Sequence, residues 1–132
     1  MAAPKELLRR VPLFDGLDDR HLDTLARNLT DRTFAAGQQI TVEGTSGVGF
    51  FVIEDGEAVV TVGGEERRTL GPGDYFGEVA LLSEGDRTAS ITARTDLRTY
   101  AMTFWEFRPL VEGNASIAWK LLESMAKQYQ RR

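Results

Sequence analysis

The spacing of apolar residues divides the chain into three stretches. Residues 5–29 carry apolar side chains at intervals of three and four, which predicts helices, and Asp18 stands where an N-cap is expected. Between 33 and 103 the apolar runs are short, alternating or rich in β-branched residues, and glycines interrupt them at intervals of about ten residues. This pattern is typical of a small sandwich or barrel of short strands. Residues 104–132 return to the helical spacing.

Turn residues refine these three stretches. Gly63-Gly64 separates two strand-like runs and suits a tight hairpin with positive φ. Gly113-Asn114 separates a short helix from a longer one that runs to the end of the chain. No linker, low-complexity tract or internal repeat is visible. We therefore predict one domain, 1–132, with an N-terminal helical region (1–32), a β-barrel (33–103) and two C-terminal helices (104–132).

The last helix has a wider apolar surface than one core contact requires. Its apolar residues cover an arc of about 200°, whereas a helix on a single core needs a stripe of little more than about 100°. The arc contains Ile117, Ala118, Trp119, Leu121, Leu122, Met125, Ala126 and Tyr129. We expect the surplus to pack on the preceding helix, or to close over a ligand or pair with a second copy of the protein. These alternatives are compatible with one another.

Length and composition limit the classes to which the chain can belong. A chain of 132 residues fits one compact domain, and contents of 42% hydrophobic and 27% charged residues are ordinary for a globular protein. No apolar run approaches the roughly 20 residues of a membrane-spanning helix, and the first residues lack the order of a secretion signal. We therefore expect a cytoplasmic protein without a membrane span.

Residue types that bind metals or coat nucleic acids are scarce. Cysteine is absent, which excludes disulfides and thiolate metal sites, and His21 is the only histidine. Because His21 lies in a helical stretch, we expect a solvated side chain rather than a metal ligand or a catalytic base. The net charge of −4 argues against a nucleic-acid-coating surface, so a bound anion must be held by a local arrangement.

The stretch YFGEVALLSEGDRTASITA, 75–93, places Glu78 and Arg87 nine residues apart around a short apolar run. Gly77 opens this run, which has the length of a short helix, and the free amides at a helix start attract anions. The turn SEGD brings Arg87 back toward those amides, where a guanidinium can clamp a phosphate. A carboxylate beside a phosphate is disfavoured unless it accepts a hydrogen bond from a neighbouring donor, such as a ribose hydroxyl. The pattern therefore indicates a ribonucleotide site.

Other interpretations of this region fit the sequence less well. Taken alone, an acid and a base across a turn are most often a surface ion pair worth under about 1 kcal/mol. GPGDYFG has the wrong glycine spacing for a dinucleotide fingerprint, and no GK[ST] motif of a P-loop occurs. Gly71-Pro72-Gly73 is instead expected to form a turn. The aromatic residues that follow the barrel, Phe104, Trp105 and Phe107, are expected to pack in the core rather than to stack on bases.

The stretch FGEVALLSEGDRTASITA resembles the phosphate-binding cassette of the cyclic nucleotide-binding domain family, to which the cAMP receptor protein and the regulatory subunits of protein kinase A belong. VPLFDGL, FAAGQQITVEGTSGVGFFVIEDGEAVV and TLGPGDYFGE also resemble segments of that family, so the likeness covers nearly the whole chain. It implies a mainly β fold with flanking helices. The expected elements are N-terminal helices, an eight-stranded antiparallel jelly-roll-like barrel with a short cassette helix within 75–90, and two C-terminal helices.

The resemblance implies that the ligand is cAMP or cGMP. Arg87 would pair with the cyclic phosphate and Glu78 would accept the ribose 2′-hydroxyl. Thr88 would reach the phosphate or a syn purine; a threonine there is linked to guanine in the family but also occurs in members that prefer adenine. Further implied site residues are the amides of Gly77, Val79, Ala80 and Ala89 at the phosphate, the base walls Val60, Val62 and Leu70, and the lid residues Leu122, Met125, Ala126 and Tyr129.

The function that follows is a sensor that binds a cyclic nucleotide and signals by repositioning its last helix. An unidentified protein partner or fused effector would read the shift, and no cofactor besides the ligand is expected. An enzyme using Glu78 as a base is disfavoured, since that residue should contact ribose. A domain that kept the fold but lost the ligand, or a regulatory fragment of a larger transcription factor, channel or enzyme, remains an alternative. A DNA-reading helix-turn-helix would have to follow Arg132, so we expect no nucleic-acid binding by this chain alone. A homodimer through the C-terminal helix is a further expectation.

Overall fold

The computed structural model describes residues 3–41, 49–77 and 89–130. The N-terminal region contains α1 (Lys5–Arg9), a 3₁₀ helix (Pro12–Phe14) and α2 (Asp19–Arg27). The strands are β1 (Thr30–Phe34), β2 (Gln39–Thr41), β3 (Gly49–Asp55), β4 (Ala58–Val62), β5 (Glu65–Leu70), β6 (Tyr75–Phe76), β7 (Ser90–Ala93) and β8 (Leu97–Thr103). The C-terminal helices are α3 (Phe104–Glu112) and α4 (Ala115–Gln130).

The eight strands form two four-stranded sheets in which every paired neighbour is antiparallel. The first sheet has the order β1-β8-β3-β6 and the second has the order β2-β7-β4-β5. Most neighbours in a sheet are distant in sequence, because the chain crosses repeatedly from one sheet to the other. This is the double-sheet arrangement of a jelly roll, and it confirms the predicted fold class. The predicted cassette helix lies outside the described residues.

The first sheet separates two hydrophobic clusters. β3, GFFVIED, supplies both, because successive side chains of a strand point to opposite faces. Phe51 and Ile53 lie between the two sheets, whereas Phe50 and Val52 pack against the helices. The residues around Phe51 and Ile53 are Ala58, Leu70, Phe76, Ile91, Ala93, Leu97 and Ala101. A strand buried on both faces explains why the sequence here is a continuous apolar run rather than an alternating one.

Several local predictions are confirmed. Asp18 is the N-cap of α2, and its side chain accepts a 2.9 Å hydrogen bond from the backbone N–H of His21. Gly63 and Gly64 connect β4 to β5 with φ values of 60° and 84°. The structure adds a feature that was not predicted, a capping box between Thr103 and Glu106 at the start of α3. The two C-terminal helices occur in the predicted order.

The boundary between the N-terminal helices and the barrel differs from the prediction. β1 begins at Thr30, so the last residues of the region predicted to be helical, 1–32, belong to the first sheet. Its sequence, TDRTF, lacks an apolar alternation because the side chains of residues 30–33 are exposed. The strand is instead held by its register with β8, in which Thr30 pairs with Ala101 and Phe34 with Leu97.

Two side chains are in environments opposite to those expected. His21 was expected to be solvated, but only 14% of its side chain is exposed, and its Nδ1 atom lies 3.3 Å from Asp18 Oδ1. Trp105 was expected in the core, but it is 67% exposed. Phe107, two residues further along α3, is buried, and Phe104 is half-buried. α3 therefore turns Phe107 inward and Trp105 outward, because neighbouring helical positions are about 100° apart.

Candidate functional site

The antiparallel pairing brings both ends of the predicted cassette to one end of the barrel. Gly49 at the start of β3 pairs with Thr103 at the end of β8. Gly77 follows β6, which is antiparallel to β3 and therefore ends near the start of β3. Ala89 precedes β7, and β8 returns from the far end of β7 to Thr103. The cassette thus leaves the first sheet and joins the second at the end where α3 begins.

The turn before the cassette is fixed by hydrogen bonds. The N–H of Asp74 donates to the carbonyl of Gly71 at 2.9 Å, and its carboxylate accepts the Gly71 N–H at 2.8 Å. Gly73 has a φ of 88°, as the third position of a type II turn with proline second requires. Ile53 exchanges two backbone hydrogen bonds of 2.8 Å with Gly73 and Asp74, which attach the turn to β3. The turn predicted at Gly71-Pro72-Gly73 is confirmed.

An aromatic contact anchors the short strand that leads into the cassette. In β6, Phe76 pairs with Phe51 and Tyr75 pairs with Val52. The rings of Phe76 and Phe51 are stacked, with centroids 5.0 Å apart and planes inclined by 19°. Both side chains are buried in the cluster between the sheets. Gly77 then redirects the chain with a φ of 81°, a conformation that favours glycine, directly before Glu78.

The other end of the cassette joins a central strand of the second sheet. β7 lies between β2 and β4, and Ser90 pairs with Thr61. The carbonyl of Ala89 accepts a hydrogen bond of 3.4 Å from the hydroxyl of Thr41. Thr41 is 8% exposed, so this contact is within the folded interior. Sequence patterns gave no signal for Thr41, because a side-chain bond to a backbone carbonyl 48 residues away has no local signature.

The three predicted base-wall residues occupy two different depths. Val60 and Val62 share one face of β4, and both are half-buried. They lie beside the exit of the cassette, since Val60 pairs with Ile91. Leu70 is 2% exposed and pairs with Ala58, four residues from Val62, or roughly 13 Å along the strand. The structure therefore brings Val60 and Val62 together at the cassette and puts Leu70 deeper in the core.

One side of α4 is attached to the rest of the domain. Ile117, Leu121 and Ser124, which we name the docked stripe, are 0%, 3% and 3% exposed. They follow the spacing of four and three that puts residues on one helix face. α4 packs on the 3₁₀ helix and on α3. The hydroxyl of Ser124 donates a 2.7 Å hydrogen bond to the carbonyl of Asp15, which directly follows the 3₁₀ helix.

The predicted lid residues lie on another side of the same helix. Leu122, Met125 and Tyr129, which we name the free stripe, are 58%, 42% and 75% exposed. Ala126 is also exposed, and Trp119 is 62% exposed. The apolar arc predicted for this helix is therefore divided: the docked stripe packs within the chain, and the free stripe leaves a row of apolar side chains in solvent.

Five predicted site residues, Glu78, Val79, Ala80, Arg87 and Thr88, lie outside the described residues. Their assignments stay predictions. The structure describes the two positions that bracket them, Gly77 and Ala89, and both are half-buried.

A contact that the sequence did not reveal joins the N-terminal helices to this region. The guanidinium of Arg10 lies against Gly73, in the turn that leads to the cassette.

Two side chains in the described portion of the chain have clearly shifted pKa values. The backbone N–H of His21 stabilises the carboxylate of Asp18 and lowers its pKa. Burial raises the pKa of Tyr100, and its hydrogen bond to Glu54 at 3.1 Å acts in the same direction. Asp18 caps a helix and Tyr100 packs with the helices, so these shifts concern folding rather than chemistry at the cassette.

Comparison with known proteins identifies relatives along most of the chain. The profile of the family described as "Cyclic nucleotide-binding domain" matches residues 31–114. The chain is 42% identical over 93 residues to the cAMP-dependent protein kinase regulatory subunit of Yarrowia lipolytica, which covers 69% of this chain and 25% of that protein. It is 33% identical over 108 residues to the potassium/sodium hyperpolarization-activated cyclic nucleotide-gated channel 4 of Homo sapiens, which covers 82% of this chain and 9% of the channel.

A solved structure extends the similarity to three dimensions. The N-terminal domain of a transcriptional regulator from Streptomyces coelicolor A3(2) superposes with a TM-score of 0.86 at 29% identity, covering 96% of this chain and 91% of that one. The chain spans a quarter or less of the length of the two curated relatives. In the portion of the chain that the structure describes, no helix combines the length and apolar character needed to span a membrane. Family profile, relatives and fold agree: the chain belongs to the cyclic nucleotide-binding domain family.

Proposed function

We propose that the chain binds cAMP or cGMP and signals by repositioning α4. The observation that carries this proposal is the cassette sequence FGEVALLSEGDRTA, 76–89, together with the position of Gly77 and Ala89 at one end of the barrel. The strands on either side of this segment belong to different sheets, so its two ends, Gly77 and Ala89, are anchored to the barrel. The Yarrowia lipolytica relative is named as the regulatory subunit of a cAMP-dependent protein kinase, and the channel is named as cyclic nucleotide-gated.

Each end of the ligand has a proposed partner in the cassette. The guanidinium of Arg87 and the amides of Gly77, Val79, Ala80 and Ala89 neutralise the cyclic phosphate, and Glu78 accepts the ribose 2′-hydroxyl. Thr88 reaches the phosphate or the purine. The base rests against Val60 and Val62, which are half-buried and have apolar surface left to cover. Leu70 supports that wall from the core.

The free stripe of α4 supplies the moving element of the proposal. Leu122, Met125, Tyr129 and the neighbouring Ala126 close over the base when the nucleotide binds. These exposed apolar side chains would gain stabilisation from covering a purine, since burial of apolar surface is favourable. The nucleotide shifts the helix only to the extent that it binds the closed arrangement more tightly than the open one. An effector, fused to this domain or separate from it, reads the shift.

We propose binding without turnover. Glu78 is assigned to the ribose hydroxyl, so it is not available as the general base for an attacking water. Activation of water for phosphodiester hydrolysis requires a metal or a positioned general base. Incubation of the protein with cAMP or cGMP should therefore yield no linear nucleotide, and formation of linear product over repeated cycles would contradict this aspect of the proposal.

Calorimetric titration with cAMP and cGMP in parallel tests the proposed ligand. The wild-type protein should bind at least one of them with a stoichiometry of one per chain. Arg87→Ala should weaken that binding by about 2–5 kcal/mol while the fold is retained, because the phosphate loses a buried charged partner. Arg94→Ala is the matched control, since Arg94 is an exposed arginine that pairs with Glu66 at 2.8 Å. Absence of binding by the wild type, or wild-type affinity in Arg87→Ala, would overturn the proposed site.

We also propose that the free stripe is a surface through which two copies of the protein form a dimer, and this can be tested on the same protein sample. Leu122, Met125 and Tyr129 are spaced by three and four residues, as in helices that pair with a second copy. Sedimentation equilibrium with and without nucleotide should reveal a dimer if two free stripes pair, and Met125→Lys should then return the protein to a monomer. A protein that stays monomeric at every concentration would contradict the dimer and would not affect the proposed role of the free stripe as the lid.

A further inference from the structure

The docked stripe of α4 contains one polar side chain, Ser124, whose hydroxyl donates a hydrogen bond. Ser124 is 3% exposed and follows Ile117 and Leu121 along the buried face. A buried hydroxyl is costly unless it is hydrogen-bonded, and the Ser124 hydroxyl donates to the Asp15 carbonyl at 2.7 Å. The stripe therefore combines two non-directional apolar contacts with one contact that depends on position and angle.

The acceptor of this hydrogen bond is held in a rigid turn. The N–H of Asp15 donates to Pro12 O at 3.0 Å, and the N–H of Leu17 donates to Phe14 O at 3.1 Å. Phe14 is buried on one side of Asp15 and Leu17 on the other. The Asp15 carbonyl is consequently a fixed point on the N-terminal region of the domain, and it does not follow α4 when that helix moves.

The position of Ser124 along the helix makes its contact the most sensitive to a swing of α4. Two non-helical residues, Gly113 and Asn114, separate α4 from α3, and Asn114 accepts the Ile117 N–H at the helix start. Ser124 is ten residues beyond Asn114 and Ile117 is three, or about 15 Å and about 4.5 Å from that pivot. A swing of about 15° then moves Ser124 by about 4 Å and Ile117 by about 1 Å. Apolar packing tolerates the smaller shift, whereas a hydrogen bond of 2.7 Å does not survive the larger one.

We propose that the hydrogen bond from Ser124 to Asp15 is a latch that holds α4 with its free stripe uncovered, and that it breaks when the helix closes over the nucleotide. This inference rests on the proposed function. It adds that this hydrogen bond determines the fraction of protein in which α4 is closed over the nucleotide site. The latch is present in an arrangement in which Leu122, Met125 and Tyr129 are 58%, 42% and 75% exposed. Its contribution therefore favours the open state alone, and it lowers the apparent affinity by lowering the fraction of closed protein.

Ser124→Ala removes the hydroxyl with little change in volume and with a gain in helix propensity, so the fold should be retained. The net strength of one such hydrogen bond corresponds to a factor of about 2–10 in an equilibrium. Calorimetric titration of the variant should accordingly give a nucleotide affinity about 2–10 times higher than that of the wild type. Ser116→Ala is the matched control, because Ser116 is an exposed serine in the first turn of the same helix.

A measurement without nucleotide examines the latch independently of the proposed ligand. Hydrogen–deuterium exchange of the amides in 121–130 should be faster in Ser124→Ala than in the wild type, and Ser116→Ala should match the wild type. Equal exchange in all three proteins, or a Ser124→Ala affinity equal to or below that of a wild type that titrates normally, would overturn the latch and leave the proposed function standing. A wild type that binds neither nucleotide would overturn the proposed function, whatever the exchange rates.

Discussion

The guanidinium of Arg10 occupies the space that a β-carbon on Gly73 would need. Arg10 is the C-cap of α1, and Gly73 belongs to the turn that lies four residues before Gly77. The N-terminal helical region is therefore in direct contact with the approach to the candidate site. Gly73 is required here for two reasons, since its φ of 88° also disfavours any residue with a side chain.

Gly73→Ala should destabilise the domain by more than the backbone conformation alone predicts. A residue with a β-carbon at positive φ costs about 1–2 kcal/mol, and displacement of Arg10 adds to that cost. Gly63→Ala separates the two effects, because Gly63 also has positive φ but a β-carbon there meets open space. Urea denaturation of both variants, and of Gly73→Ala combined with Arg10→Ala, measures the difference. If Arg10→Ala does not reduce the cost of Gly73→Ala toward that of Gly63→Ala, the contact is not responsible.

The cap of α2 makes folding stability depend on acid. The pKa of Asp18 is lowered from its ordinary value of 3.8, chiefly by the hydrogen bond from the His21 N–H. A lowered pKa means that this stabilisation is present above pH 3.8 and is lost as the pH falls through the folded-state value. Asp18→Asn keeps an acceptor oxygen at the cap but does not titrate. The stability advantage that the ionised Asp18 gives over the Asp18→Asn variant should therefore decrease as the pH falls below 3.8.

The other ionisable side chains are shared by both proteins, so contributions that do not involve residue 18 cancel in the difference. Urea denaturation at pH values from neutral to strongly acidic provides the measurement. A difference that is flat throughout would mean that the Asp18 cap does not carry the pH dependence assigned to it.

The two stripes of α4 should respond oppositely to truncation. Ile117→Ala should cost about 2–5 kcal/mol of stability, because Ile117 is 0% exposed and its loss leaves a cavity. Leu122→Ala should change stability by no more than about 0.5 kcal/mol, since that side chain is 58% exposed, but it should weaken nucleotide binding. Thermal denaturation and calorimetric titration of each variant give both quantities. A Leu122→Ala protein with wild-type affinity would remove this residue from the lid.

The sequence predicted those elements of the fold whose apolar spacing is determined by burial. The helices before and after the barrel were predicted because their apolar residues repeat with the helical period, and strand β3 was predicted because it is a short apolar run. The start of β1 was missed, because its exposed side chains at residues 30–33 follow no such period and only the pairing with β8 makes it a strand. Trp105 was assigned to the core, since apolar character does not reveal which side of a short helix turns inward.

For the candidate site, the sequence predicts a binding segment but not the contacts that hold the residues around it. The spacing of Gly77, Glu78 and Arg87 is local and carries the resemblance to the family. The contacts that fix the surroundings join residues distant in sequence, such as Thr41 with Ala89 and Ser124 with Asp15. Such pairs depend on how the two sheets and the helices come together. A single sequence has no pattern that reports them.

The role assigned to Glu78 predicts a loss of affinity that depends on the ribose 2′-hydroxyl. A general loss of affinity would affect the ribonucleotide and its 2′-deoxy analogue equally. Glu78→Gln replaces a charged acceptor with a neutral one, and hydrogen bonds to charged groups contribute about 1.5–3 kcal/mol. A neutral hydrogen bond still contributes about 0.5–1.5 kcal/mol, so the variant should bind cAMP or cGMP more weakly by about 1–1.5 kcal/mol, yet bind the 2′-deoxy analogue almost as the wild type does. Glu57→Gln, at an exposed glutamate, controls for the change in net charge. Competition titrations with the ribonucleotide and its deoxy analogue on all three proteins give the required ratios. Equal losses for the two ligands in Glu78→Gln would show that the carboxylate does not accept a hydrogen bond from the 2′-hydroxyl, because the deoxy analogue cannot form that bond with either protein.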